Sequence, residues 1–246
     1  MFLYMDLKIK ILSELIRVSK NIVFFGGAGV STESGIKDFR SKDGLYHLKS
    51  KYGRPYEVML SHTYFMNHTE TFYEFYREFM INTNAKPNYA HRYLAKLETC
   101  KNLTIITQNI DGLHQEAGSK NVIELHGSIH RNTCMKCGKK YSLSIILNSD
   151  GIPKCPYCGG IIKPDVVLYE ESLDTYAIDS AIDAISNADL IIVAGTSLSV
   201  YPASGLINFF KGKYIVIINK EHLTVNNDVY LEINRPVGEV FEELDH

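Results

Sequence analysis

KNIVFFGGAGVSTESGIKDFRS, residues 20–41, joins a short apolar run to a glycine turn. An apolar run of this length ending at Gly26 and Gly27 reads as a buried strand followed by a turn. Gly27 and Gly29 would let the backbone approach a pyrophosphate, with amide donors from a following helix N-terminus. The ordinary dinucleotide fingerprint has its third glycine where this chain has Thr32. The stretch alone therefore fits either a phosphate loop or a tight structural turn. Asp38, Phe39 and Arg40 come next, and a charged tripeptide after a glycine loop points to a ligand crevice and not to a core.

Working outward, Leu7, Ile11, Leu15 and Val18 recur at near-helical spacing before the strand. Further strand signals are LTII at 103–106, DLIIVAG at 189–195 and KYIVII at 213–218. Helix-like stretches lie between them, notably NYAHRYLAKLETC and residues 173–186 with Ile178, Ile182 and Ile185. Strands alternating with helices predict an α/β fold, a mostly parallel sheet covered on both faces. Two intervals break the rhythm. Residues 39–86, with FMNHTETFYEFYREFM, read as a mainly helical insertion over the crevice, and residues 134–158 are rich in lysine, glycine and cysteine. Pro236 marks the start of a last helix.

The chain has 246 residues, 45% hydrophobic and 22% charged, which excludes a wholly disordered protein. With 28 acidic against 26 basic side chains and a net charge of −2, nucleic acid or an anionic membrane is not expected as the main partner. MFLYMDLKIK reads neither as a signal peptide nor as a membrane span, so the expected location is the cytoplasm.

Four of the five cysteines form two C-x2-C pairs, Cys134 with Cys137 and Cys155 with Cys158, seventeen residues apart. Four thiolates at this spacing can close a tetrahedral zinc shell with no open position for water. A redox dithiol or an iron–sulfur site is the alternative. Cys100 reads as a partly buried free thiol.

Three more clusters follow strand signals, where ligand crevices of doubly wound sheets lie. ITQNIDGLHQEAG offers Gln108, Asn109 and Asp111 to ribose hydroxyls or a carboxamide, although the last two are also turn formers. IVAGTSLSVYPASGL offers Gly195, Thr196 and Ser197, and VIINK ends on Asn219. His126, in VIELHGS, has the chemistry of a general base and equally that of a structural histidine.

GAGVSTESGIKDFRS, TQNIDGLH, LHGS, the two C-x2-C pairs, KPDVVLYEE, GTSLSVYPA and IIN stand in the order found in sirtuins, and the chain resembles that family over residues 13–243. The resemblance implies a Rossmann-like NAD-binding domain (1–38, 87–125 and 163–246), a helical insertion (39–86) and a small zinc-binding module (126–162). It implies NAD as a consumed co-substrate and one structural zinc on Cys134, Cys137, Cys155 and Cys158. Ala28, Gly29, Ser31 and Thr32 would surround the phosphates and ribose, and Asp38, Phe39 and Arg40 would close over the cofactor. Gln108, Asn109 and Asp111 would form the nicotinamide-ribose and carboxamide pocket, with Gly195, Thr196, Ser197 and Asn219 along the adenosine side. His126 corresponds to the catalytic base, and Val167, Leu168 and Tyr169 to the strand that pairs with an acyl-lysine peptide.

The implied activity is deacetylation of protein lysines, with longer neutral acyl groups also accepted. The acyl oxygen attacks C1′ of the nicotinamide ribose and nicotinamide leaves. With His126 as base a ribose hydroxyl then attacks the imidate carbon, and water yields lysine and 2′-O-acetyl-ADP-ribose. Acetylated lysine-containing proteins are the implied partners. The alternatives are a protein mono-ADP-ribosyltransferase and a non-enzymatic NAD-sensing module. Departures from the family pattern are Lys37 for a proline, Leu168 for an aromatic residue and Glu170 for a glycine. In FYEFYREFM, Tyr73 matches the tyrosine of acid-acyl-selective sirtuins, but Tyr76 stands at their arginine position and Arg77 comes one residue later. On an α-helix that shift turns Arg77 by about 100° away from the shared face, so a succinyl carboxylate is expected to lack a cation.

Overall fold

The computed structural model describes residues 6–38, 52–225 and 228–246. Among these residues nine strands fall in two sheets. Six parallel strands, β1 (Asn21–Gly26), β2 (Asn102–Thr107), β3 (Val122–Glu124), β7 (Leu190–Ala194), β8 (Tyr214–Ile218) and β9 (Leu231–Ile233), lie in the order β3-β2-β1-β7-β8-β9. The remaining three, β4 (Gly127–Cys134), β5 (Lys140–Tyr141) and β6 (Ile162–Val166), form an antiparallel sheet with β4 in the middle. The helices are α1 (Leu7–Val18), α2 (Tyr56–Met59), α3 (His62–Asn67), α4 (Thr69–Phe75), α5 (Tyr89–Glu98), α6 (Leu113–Glu116), α7 (Ser144–Leu147), α8 (Thr175–Ser186) and α9 (Val237–Asp245).

β1 shows why the large sheet is central. Five of its six residues are buried, and they alternate between two cores: Ile22 and Phe24 join α1, α5 and α9, while Val23 and Phe25 join α8. Burying each such side chain contributes about 1.5–3 kcal/mol, and a strand buried on both faces carries no polar alternation.

The spacing of Leu7, Ile11, Leu15 and Val18 does mark a helix, α1, but these four do not define its buried face. Leu7 is 69% and Val18 47% exposed, and the buried residues are Ile9, Leu12, Leu15 and Ile16. Leu7 and Val18 are the first and last residues of the helix. Cys100 is exposed, not partly buried.

The helical insertion and the antiparallel sheet share one core. Tyr56, Met59, Phe65, Phe72, Tyr73, Phe75 and Tyr76 pack with Ile129, Ile146, Ile162, Val166 and Leu168, and with the sulfurs' own residues Cys134 and Cys155. After α4 the chain widens into a π-helical turn, Tyr76–Met80. Arg77 there donates from Nε to the Ile146 carbonyl at 2.9 Å and also to the Gly151 carbonyl, and the Tyr73 hydroxyl donates to the Ile162 carbonyl.

Two buried imidazoles pack together beside β1. His91 accepts the Asn88 N–H at Nδ1 in the capping box of α5, and its ring centroid lies 4.7 Å from that of His114, which packs edge-on against Phe24. Burial holds both neutral, lowering His91 to about 4 and His114 to about 3, with Arg92 adding to the first and His91 to the second. The unfolded chain takes up protons at histidine below about pH 6.5, while the folded chain does not until near pH 4. Their contribution is therefore complete above pH 7 and is lost as pH falls. At pH 5 the expected loss is about 2 kcal/mol per histidine. Urea midpoints between pH 7 and pH 5 should fall markedly less in His114→Phe than in wild type, and equal slopes would sink the assignment.

Candidate active site and zinc centre

The register aligns the carboxyl ends of the parallel strands: Gly26 pairs with Thr107 and Ala194, Thr107 with Glu124, and Ala194 with Ile218. The sheet order reverses between β1 and β7, and in open α/β sheets ligands bind at such a switch point. Gly27, Gln108, Gly195 and Asn219 each follow a strand there, and His126 follows β3 by two residues.

At the switch point two loops dovetail. Gly27 N–H donates to the Ala194 carbonyl at 3.1 Å, Gly29 N–H to the Gly195 carbonyl at 2.7 Å, and Gly195 N–H to the Ile218 carbonyl at 3.0 Å. Gly195 has φ +56°, and a Cβ on it would lie 2.4 Å from the Val30 nitrogen, so no other residue fits without displacing the loop. The Thr32 hydroxyl donates back to the Gly29 carbonyl. The missing third glycine is thus occupied by a residue that braces the loop.

Asn109, Ser31 and Asp111 form a hydrogen-bonded chain. Asn109 Nδ2 donates to Ser31 Oγ at 3.0 Å, and Ser31 Oγ donates to Asp111 Oδ2 at 2.7 Å. The Leu113 N–H donates to Asp111 Oδ1. Burial raises the Asp111 carboxyl above its ordinary range, opposed by these two donors. Gln108 Nε2 donates to Thr196 Oγ1, which also accepts the Leu198 N–H, each at 3.1 Å. The Ser197 and Ser199 hydroxyls pair at 2.5 Å, and Asn219 Nδ2 donates to the Glu221 carbonyl. Asp38 is half-buried, and Phe39 and Arg40 lie outside the described residues.

His126 Nδ1 lies 2.9 Å from the Gln108 carbonyl. A carbonyl only accepts, so Nδ1 carries the proton and Nε2 of the neutral ring is the basic nitrogen. Burial pushes the His126 pKa below the usual histidine value, against the raising effect of that hydrogen bond.

Beside it runs the segment 167–169. Its N–H groups are engaged within the chain: Val167 to the His126 carbonyl, Leu168 to Glu171 Oε2 and Tyr169 to the Leu60 carbonyl. Leu168 is 3% exposed and belongs to the core, while Tyr169 is 37% exposed. Glu171 also accepts from Lys163 Nζ at 3.0 Å and contacts His62 Nδ1 at 2.9 Å. Glu170, in the glycine position of the family pattern, has φ +75°, and its carboxylate accepts the Thr63 N–H at 2.8 Å. The left-handed conformation costs about 1–2 kcal/mol, which this cap at the start of α3 offsets. Sequence reading missed Glu171, Lys163 and His62, because no local pattern announces a carboxylate that anchors a backbone amide.

The four cysteine sulfurs lie within 4.8 Å of one another, Cys134 and Cys158 at 3.5 Å and Cys137 and Cys155 at 3.8 Å. A tetrahedral centre with zinc–sulfur bonds of about 2.3 Å has sulfur edges of about 3.8 Å. The cluster fits a structural zinc, and among the described residues it is the only such grouping of three or more ligands.

These features define a dinucleotide-binding α/β protein with a closed four-cysteine metal centre. Residues 27–202 match the Sir2 family, and the chain belongs to that family. A protein from Clostridium acetobutylicum named NAD-dependent protein deacetylase is 59% identical over 239 residues, covering 96% of this chain and 98% of that protein. A Clostridium tetani protein of the same name is 57% identical over 243 residues, covering 96% of this chain and 98% of its own length. A solved Sir2 structure with p53 peptide and NAD+ has a TM-score of 0.84 and 39% identity, covering 97% of each chain.

Proposed function

We infer that this protein is an NAD-dependent protein-lysine deacetylase that releases nicotinamide, free lysine and 2′-O-acetyl-ADP-ribose. The observation that carries the reading is the His126 tautomer, which aims a basic Nε2 from the edge of a dinucleotide crevice. NAD supplies the ribose carbon that receives the acyl oxygen. Ala28, Gly29, Ser31 and Thr32 line its phosphates and ribose, and Asp38, Phe39 and Arg40 close over it. Gln108, Asn109 and Asp111 bind the nicotinamide side, and Gly195, Thr196, Ser197 and Asn219 the adenosine side. His126 takes the proton of the ribose hydroxyl in the second half of the reaction. Val167, Leu168 and Tyr169 carry the acyl-lysine peptide. The three N–H groups of this segment are bonded within the chain, and among the described residues no donor reaches the Val167 carbonyl, which leaves it to a peptide N–H.

The NAD-binding domain comprises 1–38, 87–125 and 163–246, the helical insertion 39–86 and the zinc-binding module 126–162, with β6 (Ile162–Val166) running across the last seam to complete the antiparallel sheet. Acetylated proteins are the partners, and the cytoplasm, where four thiolates stay reduced for metal, is the location. No helix among the described residues is long and apolar enough to cross a membrane. Product-resolved mass analysis with NAD and an acetyl-peptide tests the reading: free lysine and acetyl-ADP-ribose support it, whereas an ADP-ribose adduct on protein favours a mono-ADP-ribosyltransferase.

Acyl preference follows from Arg77. The π-helical turn replaces the α-helical rotation expected there, and what removes the guanidinium from an acyl pocket is its hold on the Ile146 and Gly151 carbonyls. The Tyr73 hydroxyl is likewise engaged, on Ile162. A buried succinyl carboxylate would have neither partner and would suffer its full desolvation cost. Acetyl should exceed succinyl by more than about tenfold in kcat/KM on matched peptides, with longer neutral chains tolerated, a difference of about 1.4 kcal/mol or more. Equal efficiencies would refute it.

A further inference from the structure

The two C-x2-C turns are near-copies. In each, N–H groups two and three residues on donate toward the first sulfur: Lys136 and Cys137 toward Cys134, Tyr157 and Cys158 toward Cys155. One contact breaks the likeness. The Tyr141 hydroxyl lies 2.9 Å from Cys155 Sγ, and among the described residues it is the only side-chain hydroxyl bonded to any of the four sulfurs. Its place is built by the backbone. Cys134 N–H donates to the Lys139 carbonyl at 2.9 Å, closing the first turn, and Lys140 and Tyr141 then pair with Thr133 and Asn132 of β4. The ring packs against the core shared with the helical insertion. The phenol is therefore held by β5 against the sulfur of the other turn, and it ties the two halves of the metal centre together.

We propose that Tyr141 is a positioning residue of the zinc centre, donating its phenol proton to the Cys155 thiolate and thereby slowing release of the metal. A metal-bound thiolate keeps lone pairs that a proton can capture, which breaks the metal–sulfur bond and opens the metal to a chelator's donor atoms. A donated hydrogen bond stabilises those lone pairs and restricts rotation of the ligand. Loss of such an outer partner commonly weakens a metal site by about 10–100-fold.

The test uses the zinc-loaded full chain and a chromogenic chelator in excess at fixed pH. Tyr141→Phe, which removes one oxygen and keeps the ring, should release zinc about tenfold faster or more. Tyr176→Phe is the control: Tyr176 lies on α8, outside the metal module, and is largely exposed, and its release rate should match wild type. The cobalt-substituted protein supplies a readout that simple packing would not move. Without the hydrogen bond the sulfur lone pair rises, so the sulfur-to-cobalt charge-transfer band of Tyr141→Phe should shift to lower energy. An unchanged release rate overturns the proposal, and so does faster release with an unmoved band, which would assign the effect to packing. If Tyr141→Phe fails to hold metal, 3-fluorotyrosine at position 141 keeps the shape and strengthens the donor. The band should then shift to higher energy, and a band that stays in place overturns the proposal.

Discussion

Replacing His126 by alanine should lower deacetylation at least about a hundredfold, the lower end of what a positioned base contributes, with the fold and zinc content retained. The imidazole is oriented by one hydrogen bond, Nδ1–H to the Gln108 carbonyl, and Gln108 is itself tied to Gly26 and Thr196. The basic nitrogen is thus fixed by the same loops that form the dinucleotide crevice. Because burial lowers the His126 pKa, the ring is neutral at pH 7. The acid limb of kcat/KM should then fall below the ordinary histidine value of about 6.5, activity being full above it and lost as pH drops. Asn or Gln at this position cannot take a proton and should not restore the rate. Near-wild-type turnover in His126→Ala would remove His126 from the mechanism.

Cys155→Ser should abolish stoichiometric zinc and lower activity to a few per cent or less. Structural zinc in small modules contributes binding free energies of about 10–16 kcal/mol, and a serine oxygen is a poor replacement for one thiolate of a closed shell. Cys155 and Cys134 are also buried within the core that holds Phe65, Phe72 and Tyr73. Metal loss should therefore loosen the helical insertion as well as β4 to β6. Limited proteolysis should cut within both regions while the six-stranded sheet persists, with zinc counted by elemental analysis. One zinc per chain in the variant, or cutting confined to the cysteine turns, would contradict this.

The large sheet was legible from sequence because β1, β7 and β8 are buried on both faces and so appear as unbroken apolar runs, and β2 as a run interrupted by Thr104. β9 was not, since its three residues, Leu231–Ile233, give one alternation and no run. The glycine loop, the Gln108 to Asp111 cluster and the four cysteines were legible because their chemistry is local in sequence. The face of α1 was not, because two apolar stripes are available in twelve residues and only the position of the sheet selects Ile9 and Leu12 over Leu7 and Val18. Arg77 shows the limit most clearly. Its neighbours on the chain suggest an acyl-pocket residue displaced by one position, but its partners are carbonyls 69 and 74 residues away. Glu170 was legible as a departure from glycine, while the Thr63 amide that makes it tolerable belongs to another part of the chain.

The shared core of the helical insertion and the zinc module sets a rule for recombining relatives of this protein. The natural seams by chain order would exchange either insert by itself, but such a chimera would set aromatic side chains of one parent against β4, β6 and α7 of the other. Tyr73 would face a foreign Ile162 carbonyl, and Arg77 foreign carbonyls at 146 and 151. The heritable cassette is discontinuous, both inserts travelling together on the parallel sheet as chassis. Hybrids that respect this linkage should express as soluble, metal-replete protein more often than those that split it.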